Sequence, residues 1–167
     1  MPLWAASPDP APPPGPGPDP ASPGAPPPGP GARHRAREVA FRVAYQADLT
    51  HDAYGAVWEG LRAAERLNPD QSRLVEEVVA TLTASAGEVD EELGRAAEHW
   101  SVARLAATDR SVLRAAVAEL KACPGTPARV VLDEAITIAR RYGSDDSGRF
   151  VNGVLDRVAR RLRPGEF

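Results

Sequence analysis

The chain is poor in the residues on which disulfide, metal and membrane proteins depend. Its 167 residues include one cysteine, Cys123, and three histidines, His34, His51 and His99. This excludes an internal disulfide and leaves no metal-ligand cluster at a usual spacing. No apolar run approaches the roughly 20 residues needed to span a bilayer, and the N-terminus has neither the basic nor the apolar segment of a secretory signal. We therefore expect a cytoplasmic protein without a metal, a cofactor or a membrane partner.

Sequence motifs of catalysis are also missing. No glycine-rich nucleotide-binding loop follows a strand, and neither a Gly-x-Ser-x-Gly elbow nor a His-Glu-x-x-His pair occurs. Adjacent carboxylates are found at Glu76-Glu77 and Asp145-Asp146, but such pairs are far more often a solvated helix face or a helix cap than a catalytic dyad. The sequence therefore favours a binding protein over an enzyme.

Proline is concentrated at the N-terminus, where the first 32 residues hold 14 of the 18 prolines and five of the 14 glycines. Proline lacks an amide donor, and the segment has too few apolar side chains to form a core. We predict that residues 1–32 are a disordered tail. A proline-rich docking segment for an aromatic-lined groove is the less favoured alternative. Residues 33–163 are predicted to be the folded domain.

From Arg33 onward the apolar residues repeat with the period of an α-helix, and nowhere do they alternate for long enough to predict a strand. Asn68-Pro69 and Thr126-Pro127 are each typical of a helix cap followed by proline at the first helical position. The pattern predicts an all-α fold, a compact bundle of about seven helices. Trp58 and Trp100 are predicted to anchor helix packing. Further helix starts are predicted at Asp52, Ser101, Thr108 and Asp146 or Ser147.

Charge is distributed unevenly along the chain, although the net charge is only −3. Residues 33–47 sum to +3, residues 48–99 to −8 and residues 140–163 to +4. If the first and last helices are neighbours, the two basic ends form one basic face that the average charge conceals.

Three arginines open the first predicted helix, at Arg33, Arg35 and Arg37. Cations there oppose the helix dipole by several tenths of a kcal/mol, and an anionic partner such as phosphate would explain their position. Arg37, Phe41 and Tyr45 also lie at i, i+4 and i+8, a spacing that can bind phosphates and stack unpaired bases. We predict RNA contacts for the arginines and Tyr45 and a core position for Phe41. A solvated helix start is the alternative.

The second basic set comprises Arg140, Arg141, Arg149, Arg157, Arg160, Arg161 and Arg163. Within it, the stretch Arg149-Phe150-Val151-Asn152-Gly153 lies early in the last predicted helix. Asn152 and Gly153 are poor helix formers. The asparagine can hold a neighbouring backbone group or read a base edge, and the glycine allows a close approach by another helix or a ligand. The residues alone leave the structural and the functional interpretation equally open.

Several short motifs, in this order and spacing, resemble the NusB family of bacterial transcription antitermination factors. They are Arg35-Ala36-Arg37-Glu38, Tyr45, Val112-Leu113-Arg114, Glu119-Leu120, Pro127, Asp133-Glu134-Ala135 and Phe150-Val151-Asn152-Gly153-Val154-Leu155-Asp156. The resemblance covers about residues 33–163. It implies a helical bundle that binds boxA, a single-stranded RNA element, together with NusE, a protein of the small ribosomal subunit. Such a pair joins elongating RNA polymerase and supports antitermination, notably in ribosomal RNA operons.

The resemblance also implies particular site residues. Family RNA contacts correspond here to Arg33, Arg35, Arg37, Tyr45, Asp146, Arg149, Phe150 and Asn152. Asp109 is similar to a family surface residue involved in complex function. The chain departs from the family at His34, within a run that is often solid arginine or lysine, and at Ala118, where an aromatic residue is common.

Two alternatives belong to other functional classes. Some RNA cytosine methyltransferases carry a domain of this kind, but they need a fused nucleotide-binding catalytic domain, for which we expect no room in 167 residues. A helical adaptor that binds only protein is the other alternative, and it would not need the basic N-terminal run.

Overall fold

The computed structural model describes residues 30–167, and within that range it contains six α-helices and no strand. The helices are α1 (Pro30–Thr50), α2 (Tyr54–Glu65), α3 (Pro69–Ala96), α4 (Ala107–Ala122), α5 (Ala128–Tyr142) and α6 (Ser147–Leu162). Single 3-10 turns lie at Val102–Arg104 and Pro164–Glu166. The all-α prediction is confirmed, and the short helix expected after Ser101 is the first of the two turns.

The N-terminal boundary of the folded part differs from the predicted one. Residues 30–32 are helical rather than part of a tail, and the carbonyl of Ala32 accepts a 2.7 Å hydrogen bond from Gln71 Nε2 at the start of α3. This contact fixes the first turn of α1 against α3. The remainder of the predicted tail, residues 1–29, lies outside the described residues.

Helix starts follow the sequence signals where a local cap forms. Asn68 caps α3 and Pro69 is its first residue, as predicted. Gln71 completes a reciprocal capping box with Asn68, which was not predicted. Thr126 does not cap α5, because the amide of Ala128 donates instead to the Glu166 carboxylate at 2.6 Å. Glu166, 38 positions further along the chain, therefore accepts the hydrogen bond from the start of α5 in place of a local cap.

Two other predicted caps are also displaced. The turn after α1 is closed by a hydrogen bond from the Asp52 amide to Thr50 Oγ1, and α2 begins after Ala53 without a side-chain cap. Thr108 lies inside α4, which begins at Ala107 without a side-chain cap. Arg110 Nη1 donates to the carbonyls of Val102, Ala103 and Leu105 in the preceding turn.

Helix α4 lies at the centre of the bundle and packs against α1, α3, α5 and α6. Nine of its 16 residues are buried, among them Ala118, which is fully enclosed. Arg37 meets Glu119 and Asp48 meets Arg110, so α1 and α4 run antiparallel. Ala118 therefore occupies tightly packed space in which a larger aromatic residue would need the neighbouring helices to move.

Four charged residues tie the C-terminal half of α1 to α3 and α4. Arg110 Nη2 donates to Asp48 Oδ2 at 2.6 Å, while Arg114 donates to Asp48 Oδ1 at 2.9 Å and to Asp90 Oδ2 at 2.8 Å. The hydrogen bond from Arg110 is the main cause of a lowered pKa for the Asp48 carboxyl, and burial opposes it. The network fixes the relative position of three helices.

Helices α1 and α6 do not pack against each other. Helix α1 packs mainly on α2, α3 and α4, and α6 packs on α3, α4 and α5. The hypothesis that the first and last helices are near neighbours is therefore wrong, because α3 and α4 cover the apolar face of α1. Helices α3 and α4 pack against both α1 and α6, and α5 packs on α6 and also reaches α1.

Candidate nucleic-acid interface

Two of the three N-terminal arginines are available to an anion. Arg33 Nε donates to Asp70 Oδ2 at 3.3 Å, and Arg35 Nη2 donates to the carbonyl of Glu65. Their side chains are 42% and 55% exposed. Ion pairs this open to water contribute only about 0–1 kcal/mol, so a phosphate can compete with the present partners.

Arg37, the third arginine, is not available. It is 7% exposed, and its Nε and Nη2 donate to the Glu119 carboxylate at 2.8–3.0 Å, while Glu119 is itself 3% exposed. Glu134 adds a second carboxylate 3.8 Å from Nη1. The structure corrects the phosphate contact predicted for Arg37, because its guanidinium neutralises a buried carboxylate between α1 and α4.

Tyr45 belongs to a row of three aromatic rings that the sequence alone did not predict. Phe41 is buried, as predicted, and its ring centroid lies 5.9 Å from that of Tyr45 and 5.1 Å from that of Tyr142. Tyr142, at the end of α5, is exposed, and the Arg141 guanidinium lies 5.2 Å from the centre of its ring. The sequence analysis did not include Tyr142 among the candidate site residues. The adjacent Arg140-Arg141 pair could have indicated it, because arginines beside an aromatic ring are typical of a nucleic-acid contact.

The end of α5 also joins the two basic segments. Arg141 Nη1 donates to Glu38 Oε1 on α1 at 2.6 Å. On the other side, the Arg140 side chain lies against Gly148, where an added Cβ would be 2.8 Å from Arg140 Cγ. The last turn of α5 therefore connects the basic start of α1 with the start of α6.

The second predicted set of residues lies in the first two turns of α6. Asp146 precedes the helix, and Ser147 fixes the turn by accepting a 2.9 Å hydrogen bond from the Ser144 amide. Arg149 and Asn152 are exposed, whereas Phe150 is half-buried against the core. The two polar side chains point to solvent on the same helix as the aromatic one.

Trp100 is exposed, contrary to its predicted role as a packing anchor. Its accessible fraction is 61%, whereas Trp58 is buried as predicted. Helix α3 ends at Ala96, so Trp100 falls in the surface turn that leads to the 3-10 turn, where no helix face covers it. Its ring meets Phe150 edge to face, with centroids 6.5 Å apart and planes 76° apart.

Two open grooves flank this aromatic pair. The acidic groove, about 300 Å³, is lined by Trp100, Arg104, Asp109, Ser144, Asp146 and Phe150. The basic groove, about 290 Å³, is lined by Glu98, Trp100, Arg149, Phe150, Gly153 and Arg157. The Trp100–Phe150 pair therefore separates a surface with two carboxylates and one guanidinium group from a surface with two guanidinium groups and one carboxylate.

Asp109 lies in the first turn of α4 and shares the acidic groove with Asp146. Its Oδ1 atom is buried without a hydrogen-bond partner among the described residues. The two acidic residues that the family resemblance singled out are thus brought together, although 37 positions separate them in sequence.

The described residues offer little for metal or thiol chemistry. Residues 30–167 contain no group of three or more potential metal ligands. Burial, followed by a hydrogen bond from Cys123 Sγ to Glu77 Oε2 at 3.0 Å, raises the pKa of the thiol to about 12. Cys123 is therefore protonated at neutral pH. None of the described helices is long and apolar enough to cross a membrane.

Comparison with known proteins gives matches over nearly all of the described chain. The NusB family model matches residues 34–160. Transcription antitermination protein NusB of Pseudothermotoga lettingae is 36% identical over 137 residues, which are 80% of this chain and 95% of that protein. The protein of the same name from Anaeromyxobacter dehalogenans is 40% identical over 136 residues, 79% of this chain and 93% of that protein.

Solved structures match the fold as well. T. maritima NusB gives a TM-score of 0.75 at 33% identity, covering 80% of this chain and 94% of that one. A chain in the crystal structure of antitermination factors NusB and NusE in complex with dsRNA gives a TM-score of 0.70 at 27% identity, covering 78% of this chain and 97% of that one.

Proposed function

Because the chain belongs to the NusB family, we propose that it is a non-catalytic, RNA-binding transcription antitermination factor. It binds boxA-type single-stranded RNA together with NusE and acts on elongating RNA polymerase in the cytoplasm, notably during transcription of ribosomal RNA operons. The related complex of NusB, NusE and dsRNA supports both the RNA and the protein partner.

The observation that carries the proposal is the bridge that the end of α5 makes between two basic segments. Arg33 and Arg35 are exposed at the start of α1, and Arg149 is exposed at the start of α6. Arg141 and Tyr142 lie between these segments and contact α1 directly. This arrangement favours one surface of arginines and aromatic rings, the combination used to bind unpaired nucleotides.

The length of that surface suits several nucleotides. Arg33 and Tyr45 are 12 residues apart on one helix, which corresponds to about 18 Å along its axis. We propose that RNA phosphates contact Arg33, Arg35 and Arg149, while bases contact Tyr45, Phe150 and Asn152. Asp146 lies beside the RNA, where its carboxylate repels the phosphates from the acidic groove. Asp109 contacts a protein partner. Arg37 is left out of this set because it is buried.

Binding of a boxA-like single-stranded RNA, with and without NusE, tests the proposal across a salt series. With the phosphates at Arg33, Arg35 and Arg149 neutralised, the log–log slope of affinity against salt is expected to be roughly −2 for a single strand. Arg35→Ala should weaken binding and reduce the slope by about 0.7. Tyr45→Ala should cost about 1–3 kcal/mol with an unchanged slope.

Arg160→Ala is the matched control, because Arg160 is an exposed, ion-paired arginine near the far end of α6. It should change neither affinity nor slope. If Arg35→Ala and Tyr45→Ala remain folded and bind RNA as the wild type does, the RNA site lies elsewhere. If the wild type binds NusE but no RNA under any condition, a protein-only adaptor is the better description.

A further inference from the structure

The side chain that the proposed RNA contacts leave unexplained is Trp100. We propose that Trp100 and Phe150 together form a stacking platform for one unpaired base, with the RNA backbone running along the basic groove. This inference rests on the proposed function and adds to it a residue and a path for the strand.

Exposure is the first observation behind the platform. Trp100 is 61% exposed, although the structure buries Trp58 and Phe41 almost completely. Leaving so large an apolar ring in water forgoes a substantial hydrophobic gain. The exposure of the Trp100 indole in this surface turn is explained if a flat ligand covers its ring.

Geometry is the second observation. The edge-to-face contact with Phe150, at 6.5 Å and 76°, holds the two rings nearly perpendicular. In an edge-to-face pair the partner covers at most one face of a ring, so at least one face of the Trp100 indole is free of Phe150 and a base can stack on it. Phe150 is in turn fixed by the core beneath it, so the platform is held in place before RNA binds.

Charge on the two sides of the platform favours a nucleotide over an apolar protein segment. Arg149 and Arg157 line the basic groove with a single carboxylate, that of Glu98. Arg157 is oriented by a 2.8 Å hydrogen bond from its Nη1 to the Ala96 carbonyl. Asp109 and Asp146 line the acidic groove with a single guanidinium, that of Arg104. A phosphate is attracted to the first groove and repelled from the second, so the strand has one favoured side.

The basic groove also has room for a backbone. At Gly153, in its wall, an added Cβ would meet nothing within 4 Å. Arg149 and Asn152, on the same two turns of α6, are exposed. A sugar-phosphate chain can therefore lie against α6 while its base reaches the Trp100 ring.

Equilibrium binding of single-stranded RNA to the full chain, in the presence of NusE, tests the platform. Stacking on an aromatic side chain is worth about 1–3 kcal/mol per base, so Trp100→Ala should weaken binding about 5- to 140-fold. Trp100→Phe should recover most of that loss. Leu49→Ala is the matched control, because it removes another exposed apolar side chain, one that is 55% exposed on α1. The RNA affinity of the Leu49→Ala variant should match that of the wild type.

An abasic scan separates stacking from any indirect effect of the substitution. Removing one base at a time from the RNA should reveal a position whose loss weakens wild-type binding about as much as Trp100→Ala does. At that position the Trp100→Ala variant should show little further loss, because base and indole contribute through the same contact. The salt slope should be the same for the wild type and for Trp100→Ala, since no phosphate contact is removed.

Two results would overturn the platform while leaving the proposed function intact. One is wild-type affinity in Trp100→Ala; the other is an affinity loss that is equal at every abasic position. In the first case, reduced capture of NusE by Trp100→Ala would in addition assign the surface to the protein partner. Absence of RNA binding by the wild type would defeat both proposals together.

Discussion

At the scale of single residues, the Arg37–Glu119 pair joins α1 to α4 through a buried bidentate contact. Arg37→Ala should destabilise the protein by about 3–5 kcal/mol, because it leaves the Glu119 carboxylate buried without its main partner. Denaturant unfolding measures the change. Arg35→Ala is the control, with an expected loss of at most about 1 kcal/mol.

The same pair of variants separates structure from binding. Arg37→Ala should leave the salt slope of RNA affinity unchanged under conditions where the variant is folded, whereas Arg35→Ala should reduce it. An Arg37→Ala protein that is as stable as the wild type, yet has a flatter slope, would return Arg37 to the RNA contacts.

Glycine positions give a second contrast at this scale. Gly153→Ala should stabilise the protein by about 0.5–1 kcal/mol, because alanine is the better helix former and its Cβ meets open space. At Gly143 the new Cβ would lie 2.7 Å from the Ala139 carbonyl oxygen and 2.3 Å from Ser147 Oγ. Gly143→Ala should therefore lower the melting temperature. A higher melting temperature for Gly143→Ala would contradict the described turn.

At the scale of secondary-structure elements, the Asp48 network makes the packing of α1, α3 and α4 sensitive to acid. The hydrogen bond from Arg110 is the main cause that lowers the folded-state pKa of the Asp48 carboxyl from 3.8. The stability that Asp48 contributes is therefore complete above pH 3.8 and is lost as the pH falls through the lower, folded-state value. Asp48→Asn should be less stable than the wild type at pH 7, and the difference should shrink with falling pH.

Thermal melts of both proteins between about pH 7 and pH 3 measure this effect. Glu88→Gln is a suitable control, since Glu88 is an exposed carboxylate whose lowered pKa comes from a surface contact with Lys121 and should matter little for stability. A stability difference between wild type and Asp48→Asn that is constant with pH would show that the carboxylate contributes through packing alone.

The amphipathic pattern of α6 supplies a further test. Val154 is buried on the inner face of the helix and Asn152 is exposed on its outer face. Val154→Asp should be severely destabilising, because it places an unpaired charge in the core. Asn152→Asp introduces the same residue two positions away and should change stability by about 0.5 kcal/mol at most. Circular dichroism melts of the two variants should therefore differ clearly.

At the scale of the whole molecule, the folded part begins with the turn that Gln71 fixes at Ala32. Deleting residues 1–29 should leave the helix content and the melting temperature unchanged, because this proline-rich segment has few apolar side chains with which to pack. Deleting residues 1–32 should lower the melting temperature slightly, since it removes the Ala32 contact. A large drop on the shorter deletion would show that the tail packs on the bundle.

The interface is also a property of the whole molecule. Arg33 and Arg149 stand on helices that do not pack together, and α5 connects them through Arg141 and Tyr142. Charge sums along the chain predicted two basic ends but gave no means of identifying the helix between them. The RNA contacts proposed for these residues remain predictions until binding is measured.

Several features were determined by the sequence itself. The helical period of the apolar residues predicted the helices and the burial of Phe41, Trp58 and Val154, because a local repeat is enough to define an apolar face. Asn68, Pro69 and Gln71 specify the start of α3 within four residues of chain. The order and spacing of short motifs along the chain, above all residues 150–156 in the last helix, indicated the family that the comparisons then showed.

Other features were decided only by tertiary structure. Arg37 and Arg35 belong to the same basic run, yet a carboxylate 82 positions away from Arg37 makes one of them a core residue and leaves the other in solvent. Trp100 is exposed because α3 ends four residues before it, and Asp109 meets Asp146 because α4 and α6 pack side by side. A local pattern defines the face that a helix buries, but the partner of each charge depends on which helices meet.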